Sequence, residues 1–434
     1  METGCRTTYW RDYIPPPDTP RSKELARSNT YQWAEARCSE PFVSGWMQAW
    51  EGLLGEPYKG ITVNGQSIPD LYHLDDDGAG GPGTPVPVAA MVRAAQIVLG
   101  EASADQRRLI VREIDAPEWR RWMNPEIYVY RHGVRLEEVS DALVEAIHGL
   151  MRASLSPAGY VKAAGCMKVN DFLGKVVDGT KVLNERSYNF TMFGEPSQVE
   201  PWGWQLHGHH LDMNCLVVRR QMVLSPVFMG AEPNVIDEGP NKGTELFTDQ
   251  EQTALQLVQS MDQPTRARVR IYKQLSGPEF PSWRYHRADQ RHLGGAFQDN
   301  RQIPYEGSKV STFTAVEQDL VRQLIVLGIN YLPEGALAVK VQEIAAHWQD
   351  TYFCWIGGYQ RETGFYYKIH SPVVMVEFDH HSGVFLTNKD PLPFHIHTLV
   401  RTPNGNDYGK ELLRQYRERY QRQGLPSSPE GKDS

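Results

Sequence analysis

Two periodicities divide the chain into blocks. Apolar residues fall at helical spacing over Ser22 to Ala36 and over Phe42 to Leu54, where Trp46, Trp50, Leu53 and Leu54 share a stripe. The same spacing returns over Val86 to Leu99, Ala104 to Ile114, Leu136 to Met151, Thr248 to Met261, Phe313 to Leu332 and Ala336 to Gln349, and a basic helix is expected from Tyr408 to about Arg422. Ser156 followed by Pro157 predicts a helix start, because a serine side chain accepts from the free N–H groups of the first turn and proline needs no N–H there. Extended, β-rich runs are predicted over Ser187 to Phe193, Gly203 to Val218, Met222 to Phe228, Tyr352 to Ile356, Phe365 to His370, Val373 to Asp379 and His395 to Arg401. Arg219-Arg220-Gln221 sits where an antiparallel meander would turn, and Asn64-Gly65 between short apolar runs predicts a hairpin.

Helical and extended blocks are segregated along the chain, which predicts an α+β fold with an antiparallel or mixed β-sheet core and flanking helices. The Gly- and Asp-rich run Asp75 to Pro85 has loop composition and separates an N-terminal extension, residues 1–85, from a main body over 86–422. Residues 423–434 read as a disordered tail. Residues 277 to 310 carry no period, and a structureless stretch of that length suggests a lid or binding loop, open to proteases until substrate protects it.

Composition narrows the function classes. A net charge of -8 with no long Lys/Arg run disfavours nucleic acid, and no window is long and apolar enough for a membrane span. Five scattered cysteines without a CxxC pair suit a reducing compartment, so a soluble cytoplasmic protein is expected, with its oligomeric state open. No GxGxxG motif follows a strand and no phosphate loop is present, so no nucleotide cofactor is expected.

The candidate chemistry lies in Pro201 to Asn214, which holds three of the fourteen histidines and two of the eleven tryptophans. In an extended segment Gln205, His207 and His209 share one face and His210 joins Asp212 and Asn214 on the other, and a pair such as His207 and His209 can reach one cation. The C-terminal runs repeat the theme, with Glu377, Asp379 and His381 on one face and His395 and His397 on one face. If these strands join the central one in a sheet, His209, His397 and Glu377 or Asp379 would form a set able to hold zinc, iron or copper. The competing reading is a polar network that ties three strands together.

Nine motifs occur in one order: Ser154-Leu-Ser-Pro-Ala-Gly-Tyr160, Phe193-Gly-Glu-Pro-Ser197, Trp202-Gly-Trp-Gln205, Gly208-His-His-Leu211, Phe228-Met-Gly-Ala-Glu-Pro233, Trp355-Ile-Gly-Gly358, Tyr366-Tyr-Lys-Ile-His-Ser-Pro372, Glu377-Phe-Asp379, and His397-Thr-Leu-Val-Arg401 with Asn406-Asp-Tyr-Gly409. Over roughly Pro87 to Tyr420 the chain resembles the uncharacterised family called domain of unknown function 3500, whose members occur in bacteria and fungi and for which no general activity is assigned. The resemblance attaches to His209, His210, Glu377, His397, Arg401 and Asp407. The chain departs from it in placing Lys368 where arginine is common and in carrying His207, His380, His381 and His395, which other members need not share. Because His209 and His210 point to opposite faces of a regular strand, either a bulge at Gly208 turns both inward or one of them is structural.

Three functions fit these residues. A metal-dependent hydrolase or lyase would use His209, His210 and His397 as ligands and Glu377 as ligand or base, with Arg401 and Asp407 completing the catalytic set. Its small organic substrate would meet Glu195, Trp202, Trp204, Gln205, Tyr367 and Lys368 in an aromatic-lined pocket. A metal-independent lyase, cyclase or isomerase would use the same histidines and Glu377 or Asp407 for acid–base work. A small-molecule binding protein would keep the histidines for structure or pH sensing.

Overall fold

The computed structural model describes residues 9–74 and 86–421. The run Asp75 to Pro85, the first residues of the chain and the expected tail fall outside the described residues. Helices α1 (Pro20–Arg27), α2 (Thr30–Ser39) and α3 (Pro41–Leu54) precede α4 (Val88–Glu101), α5 (Ala104–Ile110), α6 (Asp141–Ser154) and α7 (Pro157–Val176). Then follow α8 (Thr248–Ser260), α9 (Gln263–Val269), α10 (Ala315–Ile329), α11 (Glu334–Ala346) and α12 (Lys410–Tyr416). Ser156 accepts from Gly159 N at 2.9 Å and starts α7 as its sequence predicts. The expected helix over Ser22 to Ala36 is two helices instead, because Asn29 and Gln32 form a capping box that opens a second one.

The strands are β1 (Val111–Arg112), β2 (Val134–Arg135), β3 (Tyr188–Phe193), β4 (Trp202–Gly208), β5 (Leu211–Val218), β6 (Gln221–Ala231), β7 (Arg270–Tyr272), β8 (Ser308–Lys309), β9 (Tyr352–Gly357), β10 (Phe365–His370), β11 (Met375–His380) and β12 (Ile396–Arg401). They form one mixed sheet in the order β1-β3-β4-β5-β6-β12-β11-β10-β9-β7, with β2 on β3 and β8 on β9. The fold is thus α+β with helices flanking a mixed sheet. β4, β5 and β6 form the antiparallel meander, turning at Arg219, whose φ is +55°. Asn64-Gly65 makes a turn without a hairpin: Thr62 bridges Gln302 in the distant loop.

The two faces of the sheet differ in chemistry. On one, Leu206, Met213, Val227, Met229, Val376 and Phe378 pack under helices including α7 and α10. The other carries a row of directly paired residues across eight strands: Asn189, His207, Asp212, Phe228, Leu399, Glu377, Lys368 and Cys354. A parallel row runs through Gly230, His397, Asp379, Tyr366 and Ile356.

Residues 273–307, between β7 and β8, cover this polar face and contain no regular element. The expected lid is a plug. Arg291 is fully buried and clamps Asp379 through Nε–Oδ1 at 2.7 Å and Nη2–Oδ2 at 3.0 Å, while Arg284 and Lys368 both hold Glu306. Buried polar groups of this kind fix the loop's course because each would be costly to leave unpaired.

Candidate metal centre

The stretch that concentrates histidines is not one strand. β4 pairs with β5 from Trp202–Val217 through Gly208–Leu211, so His209 and His210 are the two residues of a tight hairpin turn. His210 takes a left-handed backbone, φ +60°, which removes the alternation of faces that a continuous strand would impose. Its imidazole stacks on that of His209 at 3.9 Å between ring centres and then crosses β6 at Gly230, whose N–H donates to the His210 carbonyl. A Cβ at Gly230 would lie 2.9 Å from His210 Cδ2, so glycine is what lets the ring pass.

Beyond Gly230 the ring meets two histidines of β12 and its approach. The Nε2 atoms of His210, His395 and His397 converge: His210 to His397 is 3.1 Å, His210 to His395 is 3.2 Å, and His395 to His397 is 3.0 Å. All three rings are buried. His395 donates from Nδ1 to the Ser382 carbonyl at 2.7 Å, which turns its Nε2 toward the other two. Glu232, at the end of the strand beside β12, lies 3.8 Å from the same Nδ1. Its carboxylate accepts from the backbone N–H groups of Val384, Phe385 and Leu386, which holds the turn that carries Ser382. His381 stands next to this cluster, 4.2 Å from the His397 ring, with neither ring nitrogen in a hydrogen bond of good geometry.

Burial first, and then the neighbouring imidazoles, push the His210, His381 and His397 pKa values well below the ordinary histidine range. These rings are therefore neutral at physiological pH, as a ligand must be. His209 is lowered to about 4 by burial, partly offset by Glu126, and its Nδ1 donates at 2.7 Å to Asn170 of α7. It backs the cluster from behind without aiming a nitrogen at it.

A second group of polar side chains lies beside the first. Glu377 accepts from Leu293 N, Gly294 N and Tyr366 Oη, with His292 Nδ1 at 3.6 Å. Burial alone would raise its pKa, but His292, Tyr366 and the Gly294 N–H outweigh that and hold it well below the carboxylate range. Burial likewise pulls His292 down, and Glu377, Asp379 and Asp289 reverse the sign so that the ring is raised. The His292 ring is 5.9 Å from that of His397, with Phe228 4.9 Å from His397 and 6.2 Å from His292. Glu377 is thus spent on its donors and positions His292, which in turn faces the cluster.

The other residues singled out in the sequence are dispersed. Asp379 is held by Arg291 and His380 by Glu251 of α8. Arg401 binds Asp299, Asp407 and the Gly294 and Gly295 carbonyls, and Asp407 also accepts from Ser225 and Thr402, so this pair fastens the plug four residues along β12 from His397. Trp202, Trp204 and Tyr367 face the helical side, where Trp204 donates to Ser154 of α6. Gln205 bonds to His132, Asn214 and the Trp119 carbonyl, Lys368 bonds to Glu306, and Glu195 is exposed in the turn at the far end of β4. His292 and Ser382 carry no motif signal, since they act through loops whose course the sequence pattern does not reveal, whereas Glu232 lies in the Phe228-Met-Gly-Ala-Glu-Pro233 motif without having been singled out as a site residue.

No curated protein and no solved structure matches this chain. The model of the family described as protein of unknown function (DUF3500) matches residues 84–410, three quarters of the chain, with the hairpin histidines, Glu377 and β12 inside the match, and the chain belongs to that family.

Proposed function

We propose that this protein is a metal-dependent enzyme, a hydrolase or lyase acting on a small organic molecule, with one divalent ion held by His210, His395 and His397. The convergence of three imidazole nitrogens at 3.0 to 3.2 Å carries this reading, because neutral lone pairs that close repel unless a cation or a shared proton lies among them. Three imidazole nitrogens this close together would hold an ion at an M–N distance of about 2.0–2.1 Å, as three-histidine catalytic sites do. Imidazole ligands suit zinc, iron and copper. The ion would lower the pKa of bound water to about 7 or polarise a carbonyl. His292, set by Glu377, would exchange protons with the reacting group, as a histidine with a carboxylate partner does in general acid–base catalysis.

Protein purified without chelator should hold about one equivalent of zinc, iron or copper, as a three-histidine site would. Cobalt substitution should give the absorption of a four-coordinate centre, and His395→Gln and His397→Gln should abolish both. Metal-free protein from supplemented medium, with a melting temperature indifferent to zinc and to chelator, would overturn the reading. A metal-independent acid–base enzyme built on His292 and Glu377 is the second reading, favoured by the raised His292 pKa. Turnover of an ester, lactone and amide panel that survives chelation but not His292→Gln would select it.

A further inference from the structure

Beside the cluster, on the same polar face, lies a set of buried polar atoms without good hydrogen bonds. Asn189, His207 and Asp212 are direct cross-strand neighbours on β3, β4 and β5, and all three are buried. Side chains so paired have Cβ atoms about 4.5–5.5 Å apart and touch. Yet the Oδ1 of Asn189 and the Nε2 of His207 have no hydrogen bond of good geometry, and neither has either carboxylate oxygen of Asp212, for which the Gly208 N–H is the one nearby donor. Asn189 donates from Nδ2 to Tyr128 Oη and the His132 carbonyl, which fixes its amide so that Oδ1 is the atom left over. His132 stacks on His207 at 4.8 Å and donates from Nε2 to Gln205, so it offers no proton to the group. No Lys or Arg among the described residues pairs with Asp212. The Arg135 guanidinium is engaged by Glu137 and Thr30.

Burial, opposed only by the Gly208 N–H, pushes the Asp212 pKa well above the carboxylate range, and a cation beside it would restore the ionised form that an unpaired buried site disfavours. Three orphan oxygens and an imidazole nitrogen within one patch call for a compact group with several donors and a positive charge, which is the description of an alkylammonium. His207, at one edge of the patch, also lines a narrow crevice with Glu126, Tyr128, Tyr130, Arg135 and His209. Asp212 lies two residues after His210, and Phe228 of β6, paired with Asp212 and 4.9 Å from the His397 ring, lies between the patch and the histidine cluster.

We propose that Asn189, His207 and Asp212 form a subsite for a primary ammonium group, so that the substrate is a small amine. That the amine is a substrate rests on the metal-centre reading; the ammonium subsite itself does not.

A series of ω-amino hydroxamic acids with two to six methylenes, compared with alkyl hydroxamic acids of the same length, separates the two. The hydroxamate reports the ion and the amine reports the subsite. At one chain length the amino compound should bind about tenfold or more tighter than its alkyl match, as a charge-assisted contact would give. Asp212→Asn, which is isosteric, should erase that advantage while leaving the alkyl hydroxamate unchanged, and His207→Gln should reduce it. Hydroxamates that bind without any advantage for the amine at any length would overturn the subsite. If no hydroxamate binds, the metal reading fails and ethylammonium chloride decides the subsite alone. It should raise the melting temperature above that in sodium chloride of equal strength for the wild type but not for Asp212→Asn, and equal responses would overturn the proposal.

Discussion

At the scale of single residues, the centre depends on two features with no titratable group, a turn and a glycine. His210 reaches His395 and His397 because its backbone is left-handed and because Gly230 has no side chain to block it. Gly230→Ala would put a methyl 2.9 Å from the ring and 2.9 Å from the Ile396 carbonyl. Its expected effect is a loss of metal affinity of about 10–100-fold, the range seen when the support of a ligand is disturbed, with helix and strand content unchanged by circular dichroism. His209→Ala should keep the metal and His210→Ala should lose it, read by elemental analysis of the two purified variants. Asp289 supplies a pH signature away from the ligands: burial, opposed by His292, Arg301 and Arg401, pushes its pKa up to about 7. The folded chain then keeps a proton that the unfolded chain releases near pH 4, so this residue's contribution to stability falls as pH rises from about 4 to about 7 and is flat above, by at most about 1.4 kcal/mol per pH unit. Urea midpoints across that range should lose this slope in Asp289→Asn.

At the scale of elements, the loop 273–307 behaves as part of the core. Its turn from Lys273 to Trp283 is largely exposed, whereas Asp289 to Phe297 is buried. Limited proteolysis should therefore cut within 273–283 and spare 289–299, with no need of substrate to protect the latter. Arg291→Ala would leave Asp379 buried and unpaired and should cost about 3–5 kcal/mol in denaturant unfolding. Element positions were largely legible: α3, α4, α7, α8, β3, β10 and β12 follow from periodicity and caps. The hairpin at His209-His210 was not, because a two-residue turn between alternating strands adds no glycine–asparagine signal and leaves the polar–apolar pattern almost unbroken. The plug was legible only as a long aperiodic stretch, since its order comes largely from Asp379, Lys368 and Glu377 of the sheet rather than from neighbours in sequence.

At the scale of the whole molecule, the sheet separates two jobs. One face is apolar and takes the helices, and the other buries a histidine and carboxylate array under an irregular cover. No helix among the described residues is long and apolar enough to cross a membrane. A sheet that buries charge on one side keeps it only where every group has a partner, and most do, as Arg291 with Asp379 and Arg401 with Asp299 and Asp407. Polar atoms without a good hydrogen bond remain at His381, His207 and Asp212, and also at Asn189, Thr191, His370 and Arg284.

The sequence by itself determined the segregation of helices and strands, hence the α+β class, and it marked the histidine-rich ends of β4 and β12 as the places to look, because periodicity and residue type are local properties. Only the tertiary structure decided that His395 joins His210 and His397 while His209 turns to Asn170, and that Glu377 positions His292. Those choices depend on which strands lie side by side, on the left-handed turn at His210 and on the empty Cβ position of Gly230. Each is a relation between residues distant in the chain, to which no local pattern is sensitive.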